Sequence, residues 1–267
     1  MSLITDPSYL RNDQYKNSTN FNARANLHRR FSTNPYGWLR WLFDQLPLRP
    51  GVRALEVGGG PASLWRENAD RLPPDLRVYF SDFSIGMAQE ARQALAGDDR
   101  FAIVNLDVQA IPAPDGNFDI VIANHMLYHV PDRPRAVREM ARVLKPGGRL
   151  YAGTNGVSHL REMHDLIHEF APRYTGRSAF VGLFDLENAA ELLGREFACV
   201  EIRRYEDALW VTEARPLVNY VVSLWWVAEM ATPAWAGEFE AFLQAKINAG
   251  GGIHITKDAG LAIGLLA

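Results

Sequence analysis

Residues 54–65 read ALEVGGGPASLW. A short apolar run carrying one acid, Glu56, enters three consecutive glycines, Gly58, Gly59 and Gly60. Pro61 and a segment of helical character follow. A strand that ends in bare backbone directly before a helix leaves N–H groups facing whatever lies above the sheet. The helix N-terminus adds the positive end of its dipole. Pro61 suits a first helical turn, where its missing donor costs nothing. The stretch therefore predicts a nucleotide-binding turn at the carboxyl end of the first strand of a parallel sheet, where such sheets take ligands.

Outward from this turn, short apolar runs alternate with helical segments. VRALEV precedes a helix near 62–72, and LRVYFSD precedes one over 85–96. FAIVNLD and FDIVIA lead to a helix over 133–144, and GRLYAG to one over 158–170. KPGG at 145–148 stops the third of these helices, and a sixth strand fits 198–204. Such alternation implies crossovers and an α/β fold, a seven-stranded, mainly parallel sheet with helices on both faces. Residues 1–48 form a helical cap in this reading, with one or two helices over 8–32 and another through PYGWLRWLFDQLP. The core spans 49–212. Residues 213–250 break the rhythm with helices near 215–229 and 234–248, a helical insertion forming a substrate lid. Residues 251–267 (IHITK, then LAIGLLA) return to the sheet as its last strands.

Of the 267 residues, 48% are hydrophobic and 22% charged, which suits one sizeable core. A net charge of -3 argues against a nucleic-acid partner, and the basic stretch from Arg24 to Arg30 reads as a solvated helix face. The single cysteine, Cys199, lies among apolar neighbours and is expected to be a small buried hydrophobe. No intrachain disulfide and no cysteine metal cage are available to it. The opening residues do not read as a signal peptide, and no apolar run reaches the ~18 residues that span a bilayer. A cytoplasmic protein without a membrane partner is the expectation.

Two nucleotide classes compete for the glycine turn. A dinucleotide site wants Gly-x-Gly-x-x-Gly, but here Gly58-x-Gly60 is followed by Ala62 and Ser63, so the last glycine is missing. Glu56 stands two residues before the first glycine, where a carboxylate would repel a pyrophosphate and suit a cationic, phosphate-free ligand. The pattern Glu-x-Gly-x-Gly resembles motif I of the class I S-adenosylmethionine-dependent methyltransferases, small-molecule type, which have a Rossmann-like fold. The likeness runs closely over roughly 50–155. It implies S-adenosylmethionine as cofactor, with Glu56 and the three glycines around it. In YFSDFSIGM, Asp82, beside Phe83, stands where the family's acid takes the ribose hydroxyls, a task suited to a carboxylate's acceptor capacity. In NLDVQAIPAPDGNFDIV, Asp107 falls to the adenine amine and Val108 to the ring. NHMLYHVPD matches the loop beside the methyl group, placing Asn124 and His125 at the cofactor and Tyr128 at the substrate. Singly, Asp82 and Asp107 also read as ordinary strand-end acids.

Methyl transfer from a sulfonium is an in-line displacement that needs alignment and dryness, and a base only where the nucleophile must lose a proton. His129 is either an orienting residue or that base. His164, His168 and Glu169 lie on the helix after the fifth strand. His168 and Glu169 are further candidate catalytic groups and His164 a substrate contact, with a solvated helix face as the alternative. The pair His164/His168 has the spacing of a metal-binding helix but lacks the neighbouring Glu and a third ligand, so no metal is expected. PLVNYVVSLWWVAEM is apolar almost all round, so it packs on two sides, faces a pocket, or meets a second copy in a homodimer. With Trp210 and Trp235 nearby, Trp225 and Trp226 fit an apolar or aromatic small-molecule substrate, or simply pack the lobe. Tyr15, Arg24 and His28 are the cap residues placed to reach cofactor or substrate, and Tyr15 is assigned to the cofactor. The rival readings are an NAD(P)-dependent oxidoreductase, an S-adenosylmethionine-binding protein that transfers no methyl, and a nucleic-acid or protein methyltransferase.

Overall fold

The computed structural model describes residues 3–173, 181–224, 226–227 and 230–267. The strands are β1 (Arg53–Glu56), β2 (Arg77–Asp82), β3 (Phe101–Asn105), β4 (Phe118–Asn124), β5 (Leu144–Asn155), β6 (Cys199–Val211) and β7 (Ile253–Leu265). They form one seven-stranded sheet in the order β3-β2-β1-β4-β5-β7-β6. β1 to β5 pair in parallel, and β7 runs antiparallel between β5 and β6. The inner strands are apolar without alternation because both faces are covered: in β4, Ile120, Val121, Ile122 and Ala123 are all buried.

The α-helices of five residues or more are α1 (Thr19–Phe31), α2 (Trp38–Gln45), α3 (Ser63–Glu67), α4 (Ile85–Ala94), α5 (Arg133–Val143), α6 (Arg161–Phe170), α7 (Ala189–Leu193), α8 (Ala214–Val222) and α9 (Pro233–Gly250). Their ends follow local chemistry. Ser84 caps α4 and Asp132 caps α5 through their side chains. In α9, Thr232 caps the start, Pro233 opens the first turn, and Gly251 closes the end at φ +73°.

Apolar clusters line both faces of the sheet, one around Phe118, Val137 and Phe184, the other around Trp65, Phe80 and Tyr151. A third cluster lies where β6 and β7 meet the helices around them. It joins Leu27 and Phe31 of α1 to Leu217 of α8, Phe239 of α9 and Leu209 of β6. Each fully buried side chain of this size contributes ~1.5–3 kcal/mol, so the cap and the insertion are held to each other as well as to the sheet. The apolar faces of α8 are covered within the chain, with Leu217, Val218 and Val221 at most 1% exposed.

Several boundaries differ from the sequence reading. The two expected terminal strands are one 13-residue strand, β7, and β6 extends to Val211 to pair with it throughout. The helix expected over 215–229 ends at Val222, where the Ser223 hydroxyl donates to the Tyr220 carbonyl at 2.6 Å. Its expected last residue, Glu229, lies outside the described residues. Cys199 is exposed, not buried, because β6 is the edge of the sheet and Cys199 opens it. Of the tryptophans beside the insertion, Trp210 is exposed, whereas Trp235 packs at 4.9 Å from Phe239 and 5.5 Å from Phe170.

Candidate active site

The glycine turn is pinned from both sides. Val57 N donates to Ile122 O at 2.9 Å, and Gly59 N donates to Ser81 O at 3.0 Å. Gly58 has φ +64°, and a Cβ there would lie 2.8 Å from Met126 Cβ. At Gly59 a Cβ would come within 2.3 Å of the Phe80 ring, whereas at Gly60 it would meet open space. Backbone, not side chain, therefore surfaces the space above β1. Ala62 stands at φ +59°, a left-handed conformation that costs an L-residue ~1–2 kcal/mol. It takes a conformation that glycine adopts without strain. As a result Pro61 precedes the helix and does not open it, because α3 starts at Ser63.

Two carboxylates converge on this turn. Glu56, at the end of β1, is 2% exposed and accepts a hydrogen bond from Trp65 Nε1. Burial, assisted by the nearby Asp82 charge, pushes Glu56 up to about 8, against the Trp65 bond. Asp82, at the end of β2, accepts from Gly60 N at 2.9 Å and from Ser84 N at 2.7 Å. Burial still lifts it to about 6. Past β3, Asp107 accepts from Gln109 N at 2.9 Å, with Val108 buried beside it.

These groups line one cavity of about 830 Å³ that runs from the glycine turn to β7 and the insertion. The size suits small-molecule sites. The loop after β4 crosses its middle. Asn124 Oδ1 accepts from Trp38 Nε1 at 3.1 Å, and His125, at φ +54°, holds its N–H on Gly153 O at 2.9 Å. Phe83 lies under the Arg11 guanidinium at 4.4 Å, and Tyr128 packs between His125 and His129. His129 Nε2 lies 2.8 Å from Tyr15 Oη, and Nδ1 lies 3.0 Å from the Ile4 carbonyl. A carbonyl only accepts, so the proton sits on Nδ1, Nε2 is a lone pair, and Tyr15 donates to it. Burial drives His129 down to about 4 and raises Tyr15.

Residues 55–152 match a family described as a methyltransferase domain. A ubiquinone/menaquinone biosynthesis C-methyltransferase of Hahella chejuensis is 34% identical over 116 residues, 42% of this chain and 47% of that protein. A 27-O-demethylrifamycin SV methyltransferase of Amycolatopsis mediterranei is 36% identical over 115 residues, 42% of each chain. The matched stretch spans less than half the length of either relative. Among solved structures, a Haemonchus contortus phosphoethanolamine N-methyltransferase 2 with bound S-adenosyl-L-methionine aligns with all of this chain and 60% of its own. Its TM-score is 0.62 and its identity 18%, a likeness of fold.

The cavity gathers Glu56, the three glycines, Asp82, Phe83, Asp107, Val108, Asn124, His125, Tyr128, His129, Tyr15 and Trp226. It does not gather His168 and Glu169. Met163, Leu166 and Ile167 are the buried face of α6, so these two point outward, and Glu169 pairs with Lys246 at 2.8 Å. His164 is also off the cavity wall, with its ring stacked 6.5 Å from Trp226. Trp225 lies outside the described residues. Among the described residues no group of three or more His, Cys, Asp or Glu is arranged to hold a metal ion. Sequence reasoning missed Trp38, His159, Tyr205, Tyr220 and Lys257, all on the cavity wall. His159, just ahead of a helix, carried a faint signal, and Lys257 in a short terminal strand carried none.

Proposed function

We propose that the chain transfers a methyl group from S-adenosylmethionine to a nitrogen, oxygen or carbon atom of a small apolar or aromatic molecule, by in-line displacement. One observation carries this reading: two buried carboxylates, Glu56 and Asp82, flank the glycine turn, each pushed above its ordinary range by burial. A cation relieves such a pair, and a pyrophosphate aggravates it. This favours S-adenosylmethionine over a nicotinamide dinucleotide.

The residues present fit the group. Gly58 to Gly60 leave backbone close to the ligand, and Gly60 borders open space. Asp82 keeps lone pairs for two ribose hydroxyls beyond those used by Gly60 and Ser84. Asp107 and Val108 would hold the adenine, Glu56 would face the positive charge, and Phe83, Asn124 and His125 would flank the cofactor. When bound, the cofactor supplies a methyl carbon on a positively charged sulfur. The chain's own work is to align and dry the site, under a roof made by α1, α2, α8 and α9. Where the nucleophile must lose a proton, Tyr15 accepts it while passing its own to His129 Nε2, which stands 2.8 Å away.

Calorimetry tests the reading: S-adenosylhomocysteine is expected to bind in the micromolar range and NADH or NADPH not at all. Absence of binding at millimolar S-adenosylhomocysteine overturns it, and binding of a dinucleotide instead favours the oxidoreductase.

A further inference from the structure

The cavity changes character along its length. The carboxylates that line it, Glu56, Glu67, Asp82 and Asp107, come from β1, α3 and the ends of β2 and β3. On the side of α1, α8 and β7 the titratable groups on the wall are Arg24, Arg29, His28, His125, His159, Lys257 and tyrosines. Among the described residues no carboxylate lines that side. His28 and His159 stand 6.0 Å apart with rings inclined at 25°, and the edge of Tyr220 meets His28 at 5.8 Å. Asp207 pairs with Lys257 from behind the wall, so the lysine keeps its place without offering a free charge.

The state of His28 follows from its surroundings. Burial first, then Lys257, His125 and Arg24, push it down to about 3, so the ring is neutral at ordinary pH. Its Nδ1 is sealed from solvent and has no hydrogen-bond partner. A proton on that nitrogen would be an orphaned buried donor, the rarer and costlier defect. The single proton therefore sits on Nε2, the nitrogen left for the cavity that His28 lines. A neutral N–H donor in a basic, aromatic-walled recess exchanges a water for the acceptor of a ligand that fills the recess.

We propose that this end of the cavity holds an acceptor oxygen of a planar substrate, a carbonyl, phenolate, enolate or carboxylate, with His28 Nε2–H as its donor. That it is the substrate's end rests on the methyl-transfer reading. The two ends of the cavity are then complementary in sign: acids for a cationic cofactor, donors for an electron-rich acceptor. Ammonium substrates are disfavoured at this end, because an ammonium cannot accept from His28 Nε2–H and Arg24 and Arg29 already line the wall.

The experiment is a fluorescence titration of the full chain, saturated with S-adenosylhomocysteine, using three isosteric probes: 2-naphthoate, 2-methylnaphthalene and 2-naphthylmethylammonium. The naphthoate is expected to bind at least tenfold more tightly than the other two. His28→Phe is expected to abolish that advantage and His28→Asn to lose most of it. His28→Gln, whose amide nitrogen falls near the place of Nε2, is expected to keep it. Unchanged S-adenosylhomocysteine affinity in each variant establishes that the fold is intact. Equal affinity for the three probes, tighter binding of the ammonium, or a full naphthoate advantage in His28→Phe overturns the proposal. If the wild-type chain does not bind S-adenosylhomocysteine, the methyl-transfer reading fails on that measurement alone. The probe series run without it still tests the donor at His28.

Discussion

Gly59→Ala isolates what the glycine turn does. Its Cβ would lie 2.3 Å and 2.5 Å from two carbons of the Phe80 ring and 2.9 Å from Glu56 Cδ. Non-bonded carbons settle ~3.5–4.0 Å apart, so the ring or the turn must move by about 1 Å. Phe80 is fully buried in a strand paired on both sides, which leaves the turn to give way. Overpacking of this kind costs ~1–3 kcal/mol of stability. The displaced Gly60 N–H leaves Asp82, which it now meets at 2.9 Å. Loss of a hydrogen bond to a charged group, ~1.5–3 kcal/mol, corresponds to roughly a ten- to hundredfold loss of S-adenosylhomocysteine affinity. Urea unfolding and calorimetry read the two effects. Combining Gly59→Ala with Phe80→Leu opens room and is expected to recover at least ~1 kcal/mol in a double-mutant cycle. An unchanged midpoint and affinity in Gly59→Ala, or strict additivity with Phe80→Leu, refutes the steric account.

Other perturbations probe the remaining parts. Asp207→Asn strips the partner from Lys257 and one acceptor from the knot that also takes Ser32 Oγ and Asn34 N. A loss of ~3–5 kcal/mol in urea unfolding is expected, with faster amide exchange at residues 32–34. Because burial raises Glu56 from 4.5 to about 8, the folded state holds its proton longer than the unfolded chain. Stability therefore falls, by a few kcal/mol at most, between about pH 4.5 and 8, and Glu56→Gln should flatten that slope. An equal slope in the variant counts against burial as the cause. Tyr15→Phe is expected to lower kcat by ~10²–10⁴-fold on substrates that must lose a proton, with S-adenosylhomocysteine affinity within a few fold. An unaltered rate of labelled methyl transfer removes Tyr15 from the proton path.

What was legible in the sequence was what is local. β1, β2, β4 and β5 announce themselves as apolar runs because inner parallel strands are buried on both faces, and the glycine turn follows from three adjacent residues. The acids at Glu56, Asp82 and Asp107 are likewise fixed to strand ends. The long arms of β6 and β7 were harder, since YEDALW and HITKDAG carry charges that read as solvated. Their burial depends on pairing Asp207 with Lys257, fifty residues apart. His28 and His159 meet only once α1 is laid across the sheet. The outward turn of His168 and Glu169, by contrast, was within reach. Met163, Leu166, Ile167 and Phe170 repeat at helical spacing and leave those two on the opposite face.

The place of β7 in the sheet has a consequence for how the molecule comes into being. It is the last of the seven strands in chain order, yet it lies between β5 and β6 and is the only strand in the sheet that β6 pairs with. During synthesis, β1 to β5 can assemble as they emerge, while β6 waits with its hydrogen-bonding edge bare until residue 265 is made. Lys257 and Ala259 arrive on that same strand. The wall around His28 therefore closes only once β7 is in place, and a nascent chain stalled before β7 would carry a finished glycine turn beside an open cavity wall.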